Sequence, residues 1–226
     1  MRGNWLTITL NAFFFVVGLL AAGLALTIAY LMFKSFKAIG REYLLGFSVG
    51  FVFLALSFGL FGASYMFAVA GAATASLVRL FLSSYGFGFI AATYSFKKRS
   101  TTRSSCGEAP RIVFVVLIVF AVATILLILM PSAPSLPLYE VGDEAFHVVN
   151  LGLLAYVVYN VNQALKTEVE LSNVMLGFTL LVIDQYSLLL WALDSSFLWS
   201  LVFAQLVRIG GLVTLSTFMV RGFQRA

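Results

Sequence analysis

Charged residues are scarce in this sequence. Only 10% of its 226 residues are Asp, Glu, Lys or Arg, whereas 62% are hydrophobic. A soluble domain carries about 25% charged residues, so this composition excludes an ordinary soluble protein. Apolar runs of about 20 residues, long enough to cross a bilayer, recur along the whole chain. The sequence therefore predicts an all-α, multi-pass protein of the cell membrane that forms one membrane domain over residues 1–226.

Residue types that commonly carry chemistry are also nearly missing. Cys106 is the only cysteine, which excludes an intrachain disulfide. His147 is the only histidine, and no serine lies at a spacing that suggests a nucleophile and its base. Whether the chain is an enzyme stays open, and a non-enzymatic function is the better interpretation.

The apolar runs predict seven transmembrane helices. Their approximate ranges are 6–33, 43–67, 73–96, 112–130, 140–165, 172–193 and 197–220. The fourth predicted helix has Thr124 as its only polar side chain, so no face of it prefers protein to lipid. All four prolines of the chain flank this helix. We interpret it as a peripheral linker.

Two short motifs occur twice at similar spacing. Leu-Gly-Phe at 45–47 precedes Ser-Leu-Val-Arg at 76–79, and Leu-Gly-Phe at 176–178 precedes Gln-Leu-Val-Arg at 205–208. This pattern predicts a 3+1+3 parallel repeat, an arrangement that occurs in carriers. The predicted parts are a first three-helix unit, a loop with the linker helix, and a second three-helix unit, at 1–99, 100–138 and 139–226.

The distribution of Lys and Arg near helix ends predicts the orientation. With seven helices, the side that holds the C-terminus carries Lys34, Lys37, Arg41, Lys97, Lys98, Arg99, Arg103, Arg111, Lys166, Arg221 and Arg225. The other side carries Arg2 and the acidic residues Glu140, Asp143, Glu144 and Asp194. Because cytoplasmic loops are enriched in Lys and Arg, we expect the N-terminus outside and the C-terminus inside.

Three charged residues lie within predicted helices. A charged side chain at the bilayer centre costs about 2.5–3.5 kcal/mol on insertion scales, so each needs a partner or a cavity. With a rise of about 1.5 Å per residue, Asp184 and Arg208 lie roughly 14 and 16 Å from the outer helix ends and Arg79 roughly 10 Å. Arg79 has no obvious carboxylate at its depth.

These three intramembrane charges have two interpretations. The first is a structural ion pair. The second is a functional site, either for a polar or anionic solute or for a proton relay. A surplus of positive charge favours the site. Its predicted residues are Arg79, Asp184, Arg208, Gln185, Gln205, Tyr186 and Asn150.

A second polar set opens the fifth predicted helix. Glu140, Asp143, Glu144 and His147 have the spacing i, i+3, i+4, i+7 and share one helix face. Oxygen ligands with an imidazole suit a divalent metal ion. The simpler alternative is that the acidic residues complement the helix dipole and that His147 is an interfacial polar residue. No other cofactor is predicted.

The predicted layout resembles that of SWEET sugar transporters and of microbial rhodopsins, which also have seven helices and an external N-terminus. The resemblance is topological. No predicted helix contains the proline–glutamine pair of a SWEET-type carrier, and no lysine follows Lys166, so the seventh helix cannot form a retinal Schiff base. No functional residue is carried over from either family.

The leading hypothesis is a carrier or channel-like protein for a small polar or anionic solute, with its site between the two three-helix units. The alternatives are a seven-helix sensor or assembly subunit without transport, and a metal-dependent membrane enzyme. The expected partners are the lipid bilayer and a small solute or ion. A homo-oligomer, or a cytoplasmic partner on the loop 97–111, stays open. Nucleic acid is not expected, because the basic residues lie at helix ends.

Overall fold

The computed structural model describes residues 2–66, 72–100, 138–165 and 171–224. Six α-helices make up this part of the chain. They are α1 (Arg2–Ile39), α2 (Glu42–Met66), α3 (Ala72–Ser100), α4 (Leu138–Leu165), α5 (Ser172–Leu193) and α6 (Leu198–Gln224). All six are long and apolar enough to cross a membrane, which confirms the predicted all-α, multi-pass architecture. The helix predicted at 112–130 lies outside the described residues.

The helix ends agree with the sequence prediction to within two residues except in three helices. α3 and α6 end four residues later than predicted, at Ser100 and Gln224. α1 begins four residues earlier than predicted and ends six residues later. The helix continues through Lys34 and Lys37, which the prediction places after it, and ends at Ile39. Long basic side chains can keep their charge in water while their stems cover the apolar helix, so they need not end it. The helix is ended by Gly40, whose φ of 71° places it in the left-handed region. The Gly40 N–H donates a hydrogen bond to the Phe36 carbonyl at 2.8 Å.

The short turn between α5 and α6 is stabilised locally. The Asp194 carboxylate accepts a hydrogen bond from the Ser196 N–H at 2.9 Å. Because this bond favours the ionised carboxylate, it lowers the pKa of Asp194. The turn thus reverses the chain with few residues and sets α5 antiparallel to α6.

The six described helices form a closed ring in chain order. Each packs on the next along the chain, and α6 packs on α1. α3 and α4 run in the same direction, because Ser83 on α3 contacts Asn150 on α4 and, further along both helices, Tyr94 and Val161 line one cavity. We call the end of the ring at which α1, α3, α4 and α6 finish the basic end. The opposite end, near Asp194, is the acidic end.

Glycine allows the closest helix contacts in the ring. A Cβ atom on Gly50 would lie 2.8 Å from the carbonyl oxygen of Gly86, so α2 and α3 touch through their backbones. Gly177 and Gly211 make a similar contact, since a Cβ on Gly211 would lie 3.0 Å from the Gly177 oxygen. Small residues drive helix association in lipid through such close packing. The two contacts join helix pairs that the predicted repeat treats as equivalent.

Candidate functional site

Two cavities, which differ in the side chains that line them, lie along the axis of the described ring. The polar cavity, of about 20 Å³, lies toward the acidic end. Its polar lining residues are Ser57, Arg79, Ser83, His147, Gln185 and Arg208. The apolar cavity, of about 250 Å³, lies toward the basic end. The polar cavity is therefore lined by three of the seven predicted site residues, Arg79, Gln185 and Arg208, and by His147 of the predicted metal set.

Asp184 and Arg208 form a buried bidentate ion pair. Arg208 donates from Nε to Asp184 Oδ2 at 3.1 Å and from Nη2 to Oδ1 at 3.0 Å. The third guanidinium nitrogen, Nη1, donates to Gln205 Oε1 at 2.8 Å. Asp184 is completely buried and Arg208 nearly so. Two parallel charge-assisted bonds fix the guanidinium plane, so this pair is the rigid part of the site.

Arg79 has a carboxylate partner that sequence reasoning missed. Its Nη2 lies 3.9 Å from Oδ1 of Asp143, on the first turns of α4. The expectation that Arg79 lacks a carboxylate at its depth is therefore wrong. Asp143 sits nearer the helix end, but the long arginine side chain extends toward it, as such side chains do near membrane surfaces. This contact is longer than that of Arg208, and its side chains are partly exposed, at 15% and 33%.

A single aromatic ring contacts both arginines. The Cζ atoms of Arg79 and Arg208 lie 5.2 and 5.7 Å from the centroid of Phe61, and Arg208 also lies 4.6 Å from the centroid of Phe58. Cation–π contacts of this kind lower the cost of a desolvated guanidinium. Sequence reasoning missed both rings, because nothing in the local sequence distinguishes them from the other phenylalanines among the chain's 23.

Side chains of α4 and α5 connect the two ion pairs. His147 Nε2 lies 3.6 Å from Asp143 Oδ1, and His147 Nδ1 lies 3.0 Å from Gln185 Oε1. Gln185 Nε2 in turn donates to Asp184 Oδ2 at 3.1 Å. A chain of six polar side chains therefore runs across four helices, and we call it the polar relay. Its members, in order, are Arg79, Asp143, His147, Gln185, Asp184 and Arg208.

The hydrogen bonds of the polar relay determine which ring nitrogen of His147 donates to Gln185. Because Gln185 donates its amide N–H to Asp184, its carbonyl oxygen faces His147, so Nδ1 of His147 is the donor in that bond. Nε2 then faces the Asp143 carboxylate.

Several buried polar atoms of this region have no hydrogen-bond partner within the described residues. They are Asp143 Oδ1, Asn150 Oδ1 and Gln205 Nε2. The Asn150 amide nitrogen is bonded, to Gln185 Oε1 at 3.2 Å and to Ser83 at 3.4 Å. Buried polar atoms are almost always hydrogen-bonded in proteins. These three residues belong to the polar relay or adjoin it, but they are not among those that line the polar cavity.

Tyr186 and the four residues of the predicted metal set do not lie together at one site. Tyr186 is 53% exposed on the outside of the ring, so the structure does not bring it to the cavity. Asp143 and His147 belong to the polar relay, Glu144 is partly exposed, and the side chain of Glu140 lies outside the described part. No group of three or more His, Cys, Asp and Glu side chains that could hold a metal occurs among the described residues. The metal site stays a prediction.

An apolar layer separates the two cavities. On α5, Leu181 lies between Phe178, which lines the apolar cavity, and Gln185, which lines the polar one. Each helix contributes one completely buried side chain at this level. They are Ala25, Leu54, Phe87, Leu154, Leu181 and Leu212. Phe178 and Gln185 are seven residues apart, so the layer is about 10 Å thick.

A comparison of the chain with protein-family models, with curated proteins and with solved structures finds no match. The function therefore has to be inferred from the chemistry of the two cavities and of the polar relay.

Proposed function

We propose that this protein is a membrane carrier or channel-like protein for a small polar or anionic solute, which binds at the polar cavity. The observation that supports this function best is the convergence of Arg79 and Arg208 on one cavity inside a ring of apolar helices. Ionisable residues within membrane segments are costly to bury and commonly mark a solute or proton pathway. A lipid-facing scaffold has no need of six linked polar side chains.

The two arginines have different roles in this proposal. Arg208 is held by two short bonds to Asp184 and one to Gln205, so its charge is already neutralised. Arg79 has the 3.9 Å contact with Asp143 and retains some exposure. An anionic group that displaced Asp143 would gain Arg79 as its partner. Arg79 therefore binds the solute, and Asp184 with Arg208 keeps the cavity in shape.

Solute entry requires the helices to move. A cavity of about 20 Å³ accommodates little more than one water molecule. Asp143 connects the relay to the acidic end, because its side chain is 33% exposed, whereas the apolar layer closes the route to the basic end. In a carrier, the apolar layer has to open after the acidic end has closed.

The finer topology belongs to the same proposal. α3 and α4 run in the same direction, so α3 ends at the basic end and α4 begins at the acidic end. This geometry supports the predicted helix at 112–130 and a total of seven crossings, with the N-terminus outside and the C-terminus inside. The polar cavity would then lie between the two three-helix units, since Arg79 belongs to the first and Arg208 to the second.

Uptake of labelled solutes into proteoliposomes tests this function. We expect the purified protein to transport at least one member of a panel of small anions and polar neutral solutes. Arg79→Gln should abolish uptake, and Arg79→Lys should retain part of it. Arg221→Gln is the matched control, because Arg221 is exposed at the basic end, away from the cavity. Uptake by Arg79→Gln at the wild-type rate would refute the assignment of Arg79, and no uptake of any solute by the wild type would refute transport.

A sensor or assembly subunit is the second candidate. The observation in its favour is that both arginines have carboxylate partners, so the polar relay can serve as a switch without any solute. Solute binding or a pH response without uptake would favour this function. The weaker alternative, a metal-dependent enzyme, depends on Asp143 and His147 together with Glu140 and Glu144. A cytoplasmic partner of the loop 97–111 stays a prediction, because residues 101–111 lie outside the described part.

A further inference from the structure

We propose that the apolar cavity binds the hydrocarbon chain of a single-chain anionic amphiphile, whose carboxylate or phosphate head stays at the basic end. This site is distinct from the polar cavity and goes beyond the proposed transport function. Three observations carry it: the size and walls of the cavity, the cationic residue beside its mouth, and the apolar layer that closes its far side.

The walls of the apolar cavity suit a hydrocarbon chain. Side chains from all six described helices line it, and none of them is acidic or basic. The most completely buried of the lining side chains are those of Ile28, Phe51, Val161, Val174, Phe178 and Leu215. The volume of about 250 Å³ exceeds the engineered cavity of about 150 Å³ that binds benzene. A chain of roughly ten carbon atoms would fill such a space, whereas the two chains of a phospholipid would not both fit.

The mouth of the cavity carries a positive charge. Tyr43 lines the cavity, and its hydroxyl oxygen accepts a hydrogen bond from Arg41 Nη1 at 3.5 Å. Arg41 is exposed, so its remaining N–H groups are available to an anion. Lys37 and Arg221, in the last turns of α1 and α6, lie at the same end. An anionic head at this position meets cationic groups while its chain enters the apolar walls, which disfavours a cationic amphiphile.

The apolar layer limits how far the ligand can enter. Its six side chains are completely buried and leave no open path to the polar cavity. A charged head therefore cannot pass through the apolar cavity to reach Arg208 without opening the layer. The head stays at Arg41 and the chain points inward, which fixes the orientation of the ligand.

Three ten-carbon probes of equal chain length test the charge and the chain separately. The full-length protein in amphipol is dialysed to equilibrium against labelled decanoate, decanol or decylamine, with protein-free amphipol as the blank. We expect saturable binding of decanoate, about fivefold tighter than that of decanol, because an exposed ion pair contributes up to about 1 kcal/mol. Decylamine should bind most weakly. Arg41→Gln should remove the difference between decanoate and decanol.

Filling the cavity tests its location. Val161→Phe and Val174→Phe add a ring to neighbouring walls, on α4 and α5, and each should weaken the binding of all three probes about tenfold, as expected when a packed space is overfilled. Val213→Phe is the matched control, since Val213 is 45% exposed on the outside of α6. Two filling variants are used so that the failure of one to fold leaves the other to decide.

Several results would overturn the inference. They are the absence of saturable decanoate binding by the wild type, unchanged binding in a folded filling variant, and decylamine binding as tight as that of decanoate. Native mass spectrometry distinguishes the source of the chain. A two-chain phospholipid retained by the wild type and lost in Val161→Phe would assign the cavity to a bilayer lipid and would also overturn the proposal. These assays measure binding without transport, so a failure of the transport function leaves their outcome unaffected.

Discussion

The ion pair between Asp184 and Arg208 gives the sharpest test of the site. Two substitutions that preserve shape, Asp184→Asn and Arg208→Gln, remove one charge each, and their combination removes both. If the pair supports the fold, each single variant leaves one charge buried without its counter-charge. The double variant restores neutrality and should recover much of the stability.

The geometry of the pair sets the expected magnitude. Asp184 and Arg208 share bonds of 3.0 and 3.1 Å in a completely buried position. Loss of one partner of such a buried pair costs about 3–5 kcal/mol in the free energy of unfolding. Arg79→Gln is the internal control. Its contact with Asp143 is longer, at 3.9 Å, and partly exposed, so we expect a loss of less than about 1 kcal/mol.

Unfolding of the wild type, the two single variants, the double variant and Arg79→Gln in mixed detergent micelles measures the coupling energy of the pair and the effect of the control. Tryptophan fluorescence can follow the transition, because Trp191 packs on the apolar cluster that contains Leu188 and Leu201. We expect the double variant to be less destabilised than the sum of the two single variants by about 3 kcal/mol or more. Additive losses, within about 0.5 kcal/mol, would refute the reasoning.

Activity of the same proteins separates a structural pair from a solute site. The double variant should fold and retain part of its uptake, since Arg79 still provides the charge that binds the solute. Arg79→Gln should be stable and inactive. Full uptake by Arg79→Gln together with no uptake by a stable Asp184/Arg208 double variant would reverse the roles that we assign to the two arginines.

Three further predictions concern the rest of the chain. Cys106 should react with maleimide only after the membrane is permeabilised, and labelling in intact cells would contradict the orientation. Gly86→Ala should destabilise the protein by about 1–3 kcal/mol, because a Cβ there would lie 2.7 Å from Leu54, whereas Gly88→Ala, with nothing within 4 Å, should be nearly neutral in thermal unfolding. If Glu140, Asp143, Glu144 and His147 bind a divalent ion, that ion at a hundred times its dissociation constant should stabilise the protein by about 2.7 kcal/mol. His147→Gln should abolish this gain in stability, and the absence of bound metal in elemental analysis would contradict the site.

Part of the candidate site could be predicted because depth in a membrane follows from residue number. A helix rises about 1.5 Å per residue, so counting from the helix ends is enough to set Asp184 and Arg208 at the same level. The bidentate pair between them agrees with that count. The same reasoning failed for Arg79, because Cα depth ignores the reach of the arginine side chain toward Asp143.

Rotation about the helix axis could not be predicted in the same way. Gln185 and Tyr186 are neighbours in sequence, yet one is buried in the polar relay and the other is 53% exposed. Every helix here is apolar on most of its surface, so the usual contrast between a polar and an apolar face is too weak to orient it. Close glycine contacts and neighbouring helices decide which side chains face inward.

The sequence by itself therefore determined that the chain is helical and membrane-spanning, where most of the helix ends lie, and at which depth the charged residues lie. These properties depend on composition and on distance along one helix. Only the tertiary structure decided that Asp143 pairs with Arg79, that Phe58 and Phe61 contact the arginines, and that an apolar cavity lies between the polar cavity and the basic end. Each of these features depends on which helices are neighbours and how each is rotated, and in a uniformly apolar chain local sequence encodes neither.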